Sequence, residues 1–217
     1  MRRTVKRELT LGLCLLIAFV IWTIAVKTVD VAAIGPQGSE IGFATINGFF
    51  HDLTGVHMRL YTLTDWLGLV PVGVVLGFAM LGLLQWIRRR SIGKVDHDIL
   101  LLGGFYVVVM ALFVIFEVFP VNFRPVLIQG VLEASYPSST TLLVMCVMST
   151  AGLQLRKRIS DPLVYGCVMV TIHAFAIFVV ICRLLSGVHW LTDIIGGGLL
   201  SAGLVMAYAG LIDLDNA

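Results

Sequence analysis

The chain has 217 residues, of which 59% are hydrophobic and 13% charged, with a mean hydropathy of +0.99; this excludes an ordinary water-soluble domain. The formal net charge of +2 says nothing about nucleic acid and reports topology instead; no nucleic-acid partner is expected. Cys14, Cys146, Cys167 and Cys182 lie in or beside apolar runs with no CxxC spacing, so they read as small apolar filler, not a disulfide framework or zinc site.

The apolar runs predict an all-α protein, a bundle of six transmembrane helices in one domain spanning 1–217. The first span is expected at 9–26, after Arg2, Arg3, Lys6 and Arg7. It is long and lacks a small-residue cleavage site, so it reads as a retained span rather than a signal peptide. The Arg2-Arg3 pair reads as ordinary inside charge, not a twin-arginine signal. The connection 27–66 is polar and contains Asn47-Gly48-Phe49-Phe50-His51-Asp52, expected to form a short interfacial helix. His51 and His57 read as surface residues of this loop. Further spans are expected at 67–87, 99–118, 138–155, 163–181 and 193–211, each near the ~20 residues that cross a bilayer. Trp22, Tyr61, Trp66 and Trp86 fall near span ends and read as interface anchors. Gly73 and Gly77 form a GxxxG, and Gly196, Gly197 and Gly198 open the last span; both predict close helix packing. His173, alone among apolar neighbours, reads as a hydrogen-bonded packing residue.

Basic residues set the expected orientation. The N-terminal cluster, the segment with Arg88, Arg89, Arg90 and Lys94, and the segment with Arg156, Lys157 and Arg158 leave only Lys27, Arg59, Arg124 and Arg183 for the other side. The basic side is expected to be cytoplasmic, with both termini there and the protein in the plasma membrane. Three polar segments then meet outside. These are Phe119 to Pro125, Ser135 to Thr141, and Arg183 to Asp193.

The third segment is the most informative. His189 and Asp193 are four apart, and a helix starting at His189 would put them on one face. A carboxylate beside an imidazole fixes its tautomer and raises its basicity. Arg124 and Arg183 can converge on one anion as planar forks. Pro137-Ser138-Ser139 at a helix start offers free N–H groups and hydroxyls for a phosphate, and Ser138 and Thr140 serve equally well as helix caps.

These residues resemble the type 2 phosphatidic acid phosphatase superfamily, the integral-membrane lipid phosphatases related to vanadium haloperoxidases. Its three motifs are Lys-x6-Arg-Pro, Pro-Ser-Gly-His and Ser-Arg-x5-His-x3-Asp. The chain has Glu117-x6-Arg124-Pro125, Pro137-Ser138-Ser139-Thr140 and Cys182-Arg183-x5-His189-x3-Asp193, and the likeness runs from about residue 60 onward. It implies a six-helix bundle with an external site. It further implies that His189 is the nucleophile forming a phosphohistidine and that Asp193 orients it. Arg124 and Arg183 form the phosphate clamp, completed by Ser138 and the N–H groups around Ser139. Neither metal nor cofactor is implied; the partners are a lipid phosphate substrate and membrane lipids.

The departures carry chemistry. Glu117 stands where the family has Lys, Ser139 where it has Gly, Cys182 where it has Ser, and Thr140 where it has the His that protonates the departing alcohol. A threonine hydroxyl is too weak an acid for that role. An alkoxide leaving group needs the proton, whereas a phosphate leaving from a diphosphate, with a second pKa near ~6, needs it far less. A polyprenyl diphosphate such as undecaprenyl diphosphate is therefore favoured over a phosphatidic acid-type monoester. Glu117 and Glu133 are auxiliary candidates for a replacement acid, because burial raises carboxyl pKa values. The alternative reading is a catalytically impaired binder of lipid phosphates. An anion transporter is disfavoured because the polar residues gather on one side.

Overall fold

The structure is a computed structural model in which residues 2–215 are described; the outermost residues of the expected 1–217 domain, Met1, Asn216 and Ala217, lie outside them. The order is α1 (Arg2–Thr28), α2 (Ala44–Thr54), α3 (Met58–Leu67), α4 (Leu69–Arg89), α5 (His97–Val118), α6 (Ser139–Leu155), α7 (Pro162–Leu185) and α8 (Leu191–Asp215). The all-α expectation holds. Among the described residues, five helical stretches are long and apolar enough to cross a bilayer, which makes this a multi-pass membrane protein. The sixth long element, α6, is shorter at 17 residues, and it is the most enclosed, with Val144, Cys146 and Val147 at 0% exposure. It sits between α7, α8 and the α4–α5 side.

Two features differ from the sequence expectation. The second span was expected to start at 67, but α3 already occupies 58–67, and Met58–Arg89 forms one apolar stretch of 32 residues that passes through a single turn residue, Gly68. The expected close packing at Gly73 and Gly77 is absent, since a Cβ on either would meet nothing within 4 Å. Close approach falls instead on α1 and α8. A Cβ on Gly12 would stand 2.8 Å from the Ala207 backbone nitrogen, and one on Gly203 would stand 2.9 Å from the Leu16 side chain. Small residues pack helices only where a partner helix is present, and a GxxxG spacing does not say which face has one.

The segment between α1 and α3 is fastened to the start of α8. Buried Asn47 donates from Nδ2 to the Gly42 carbonyl (2.8 Å) and to Thr192 Oγ1 (2.9 Å), and its Oδ1 accepts from the Thr192 N–H (3.3 Å). Trp22, expected as an interface anchor, donates to the Thr192 carbonyl at 3.2 Å and stacks on Phe43. The His57 N–H donates to the Ser186 carbonyl at 2.9 Å. The 119–138 connection folds back on itself through isolated bridges between Phe123 and Ala134 and between Ile128 and Val131. At the opposite end, Gln154 ties α5, α6 and α8 together by donating to the Asp98 carbonyl and the Tyr208 hydroxyl, and Arg158 pairs with Asp98. The polar segments and the basic segments thus lie at opposite ends of the bundle.

Gly196 shows how tightly this end is built. A Cβ there would stand 2.5 Å from Cε2 of Tyr136, whose ring is 1% exposed and stacks on Phe19. The ring cannot yield without moving the 135–137 turn, so Gly196→Ala is expected to destabilise by about 1–3 kcal/mol. Thermal unfolding of the detergent-purified protein measures this, and an unchanged Tm would show that the turn adapts freely.

Candidate active site

His189 lies in the turn between α7 and α8, not on α8 itself, which begins at Leu191. The helix expected to start at His189 therefore starts two residues later. The imidazole is 4% exposed. Its Nδ1 is 3.1 Å from the Ser135 carbonyl oxygen. A carbonyl only accepts, so Nδ1 carries the proton and Nε2 keeps a lone pair. Nε2 faces Arg124 Nη1 at 3.5 Å.

The Asp193 carboxylate stands 3.7 Å from Nδ1, beyond a hydrogen bond, so the tautomer is fixed by Ser135 rather than by the expected carboxylate. Asp193 has a different set of partners. Its Oδ2 accepts from Ser135 Oγ (2.6 Å) and from the Trp190 N–H (2.9 Å), and its Oδ1 accepts from Asn122 Nδ2 (3.4 Å). Reaching back three residues to Trp190 caps the first turn of α8, where a carboxylate also suits the helix dipole. Through Ser135 and Asn122 the same carboxylate holds the 119–138 connection against α8. It positions the carbonyl that in turn positions the imidazole.

Arg124 and Arg183 are both buried, at 8% and 2% exposure. Arg183 Nη1 donates to Thr64 Oγ1 (3.0 Å) and Asp65 Oδ1 (2.9 Å). Glu133 Oε2 lies 3.0 Å from Arg124 Nε, but off the direction in which that N–H points. The Nε of each arginine is buried without a hydrogen-bond partner. Leaving such donors unmade costs about 1–3 kcal/mol each, more for charged groups. The Tyr61 ring lies between the two, with its centroid 4.8 Å from Arg183 Cζ and 5.8 Å from Arg124 Cζ.

The remaining predicted residues divide. Ser138, fully buried, caps α6: its Oγ accepts from the Thr141 N–H and hydroxyl, and its own N–H donates to the Asp193 carbonyl. Its groups are turned to structure. Ser139 and Glu117 line a narrow crevice beside His189. Thr140 lines a neighbouring cavity of about 450 Å³ together with Ser139, Thr64 and Asp65, continued by apolar residues of α4, α5 and α6. Glu133 pairs with Arg124. Sequence reasoning missed Tyr61, Thr64, Asp65, Asn122 and the Ser135 carbonyl. Asp65 had a signal: an acid inside an otherwise apolar stretch seldom lacks a partner.

Burial first, and then the positive charges of Arg124 and Arg183, hold the His189 imidazolium well below the ordinary histidine value of 6.5, against the opposing pull of the Ser135 carbonyl. The neutral form, which carries the lone pair, therefore persists into mildly acidic solution. If Nε2 is a nucleophile, the acid limb of its single-turnover rate falls below pH 6.5. A limb centred at or above that value would contradict an imidazole held neutral by burial and two guanidiniums.

No protein-family model and no curated protein matches the chain. Among solved structures, the crystal structure of a transmembrane PAP2-type phosphatidylglycerolphosphate phosphatase from Bacillus subtilis is similar. It matches with a TM-score of 0.57 and 19% sequence identity, covering 94% of this chain and 96% of that one. At that identity the likeness establishes a shared fold.

Proposed function

We propose that this chain is a membrane lipid phosphatase of the type 2 phosphatidic acid phosphatase superfamily that transfers a phosphoryl group to His189 on the external face of the membrane. One observation carries the reading: the buried Nε2, left with its lone pair, faces the buried Arg124 guanidinium, whose Nε, like that of buried Arg183 across the Tyr61 ring, lacks a hydrogen-bond partner. An oxyanion between the arginines would satisfy both donors and lie within reach of Nε2. The shared fold and the Arg124, Arg183, His189 and Asp193 spacings support it independently.

In this mechanism the two guanidiniums neutralise the equatorial oxygens of the transferring group. Nε2 attacks phosphorus as the bond to the leaving oxygen breaks, and water then hydrolyses the phosphohistidine. Asp193 and Ser135 hold the imidazole in register and take no proton. Ser138 supports the site by capping α6, and Ser139 lines the crevice where a phosphate N–H contact is available. A bound phosphate must compete with Glu133 and Asp65 for the arginines.

Thr140 cannot protonate an alkoxide, and Glu133 is engaged by Arg124. A diphosphate, whose leaving phosphate needs little protonation, is thus the favoured substrate. Phosphate release by purified protein from undecaprenyl diphosphate and from phosphatidic acid tests this, with faster release expected from the diphosphate. Equal rates would remove the substrate preference. Lipid binding without release from either would instead establish the binder reading.

A further inference from the structure

The cavity of about 450 Å³ beside the arginines continues along the bundle. At its polar end it is lined by Thr64 and Asp65, which both accept from Arg183, and by Ser139, which also lines the crevice beside His189. Deeper, its walls include the facing sides of α4 and α5. There Val75 and Tyr106 also line a second cavity, of about 490 Å³, so the two adjoin at this pair. The second cavity runs past Gly82 and Trp86 of α4 and Gly103 of α5 to Ile92 and Val95, in the connection between the two helices.

Leu69, Val72, Val75, Ala79, Gly82 and Trp86 recur every three or four residues, so one face of α4 lines both cavities. α4 has 21 residues, which is roughly 30 Å at ~1.5 Å per residue and matches the hydrocarbon thickness of a bilayer. Beyond Thr140 the lining is apolar except for the Tyr106 hydroxyl. That hydroxyl donates to Thr150 Oγ1 at 3.2 Å, because the Thr150 proton goes to the Cys146 carbonyl at 2.8 Å, and the bond holds the ring at the junction. Gly103 and Gly104 leave the second cavity open: a Cβ on either would meet nothing within 4 Å.

We propose that this cleft between α4 and α5 seats the apolar chain of the substrate, and that the cavity beyond Tyr106 and Val75 selects long chains over short ones. The inference rests on the lipid phosphatase reading above and adds a chain-length preference to it. Apolar protein surface in a bilayer already lies among lipid tails, so the selecting force is packing against the cleft walls rather than the hydrophobic effect. A chain whose phosphate is held at Arg124 and Arg183 enters the cleft as part of the same molecule, and this effective concentration favours it over free lipid. A short chain ends before Tyr106 and gains no contact in the second cavity.

Gly104→Leu puts a side chain into the second cavity without a clash at Cβ, and leucine is a better helix former than glycine. Undecaprenyl diphosphate and geranyl diphosphate, whose chain is too short to pass Tyr106, are made to compete in one detergent solution of the purified protein. The ratio of their products gives the ratio of their kcat/KM values. The variant is expected to lower the undecaprenyl-to-geranyl ratio about tenfold, the scale on which filling an apolar pocket discriminates, with the geranyl rate within about twofold of the unaltered protein. Gly73→Leu, on the same pair of helices but lining neither cavity, should leave the ratio unchanged. An unchanged ratio in Gly104→Leu, or an equal change in Gly73→Leu, overturns the assignment and leaves the phosphatase reading intact. If the unaltered protein hydrolyses neither diphosphate, the phosphatase reading itself fails and the chain seat with it.

Discussion

His189→Ala is expected to abolish phosphate release, by a factor on the order of 10⁴ or more, since removal of a nucleophile is not compensated by the groups that only bind and polarise. The fold should survive. The imidazole makes two hydrogen bonds, one to the Ser135 carbonyl and a long one with Arg124 Nη1, and leaving a buried partner unmade costs about 1–3 kcal/mol. The junction between α8 and the 119–138 connection persists, because Asp193 still binds Ser135 Oγ, Asn122 and the Trp190 N–H. A small fall in Tm with complete loss of turnover is the expected pair. Near-normal release from His189→Ala would end the histidine mechanism.

Arg183→Ala is expected to lower kcat/KM by about 10²–10³-fold, the loss typical of one donor aimed at developing charge. Its effect on stability should be smaller than for a fully buried pair, where removing one partner costs about 3–5 kcal/mol. The Asp65 left behind has a side chain 47% exposed and is hydrated in place. What is lost is the support under Tyr61 and the bond to Thr64. Arg183→Lys keeps a charge but not the fork that reaches Thr64, Asp65 and an anion together, so it should recover stability better than rate. Unchanged kinetics in Arg183→Ala would place the anion site elsewhere.

The helices and the central cluster of the candidate site were legible because both are written locally. Long apolar runs fix span-length helices, and Arg183, His189 and Asp193 lie within eleven consecutive residues. Residues that act through distant partners were not legible. Tyr61 and Asp65 read as members of an external connection, yet their helix runs straight into α4, and they meet Arg183 from more than a hundred residues away. The Ser135 carbonyl leaves no trace in a side-chain pattern, because any residue supplies one. It nonetheless takes the bond to His189 that the i,i+4 spacing assigned to Asp193. Gly73 and Gly77 illustrate the converse: the spacing is local, but the partner that gives it meaning is not.

The most direct test of the central claim is to quench the purified protein during turnover of a radiolabelled lipid phosphate and locate the label. The account predicts one acid-labile, alkali-stable phosphate on the peptide carrying His189, absent from His189→Ala. Release of phosphate with no label on the protein, or label that persists in His189→Ala, would contradict it.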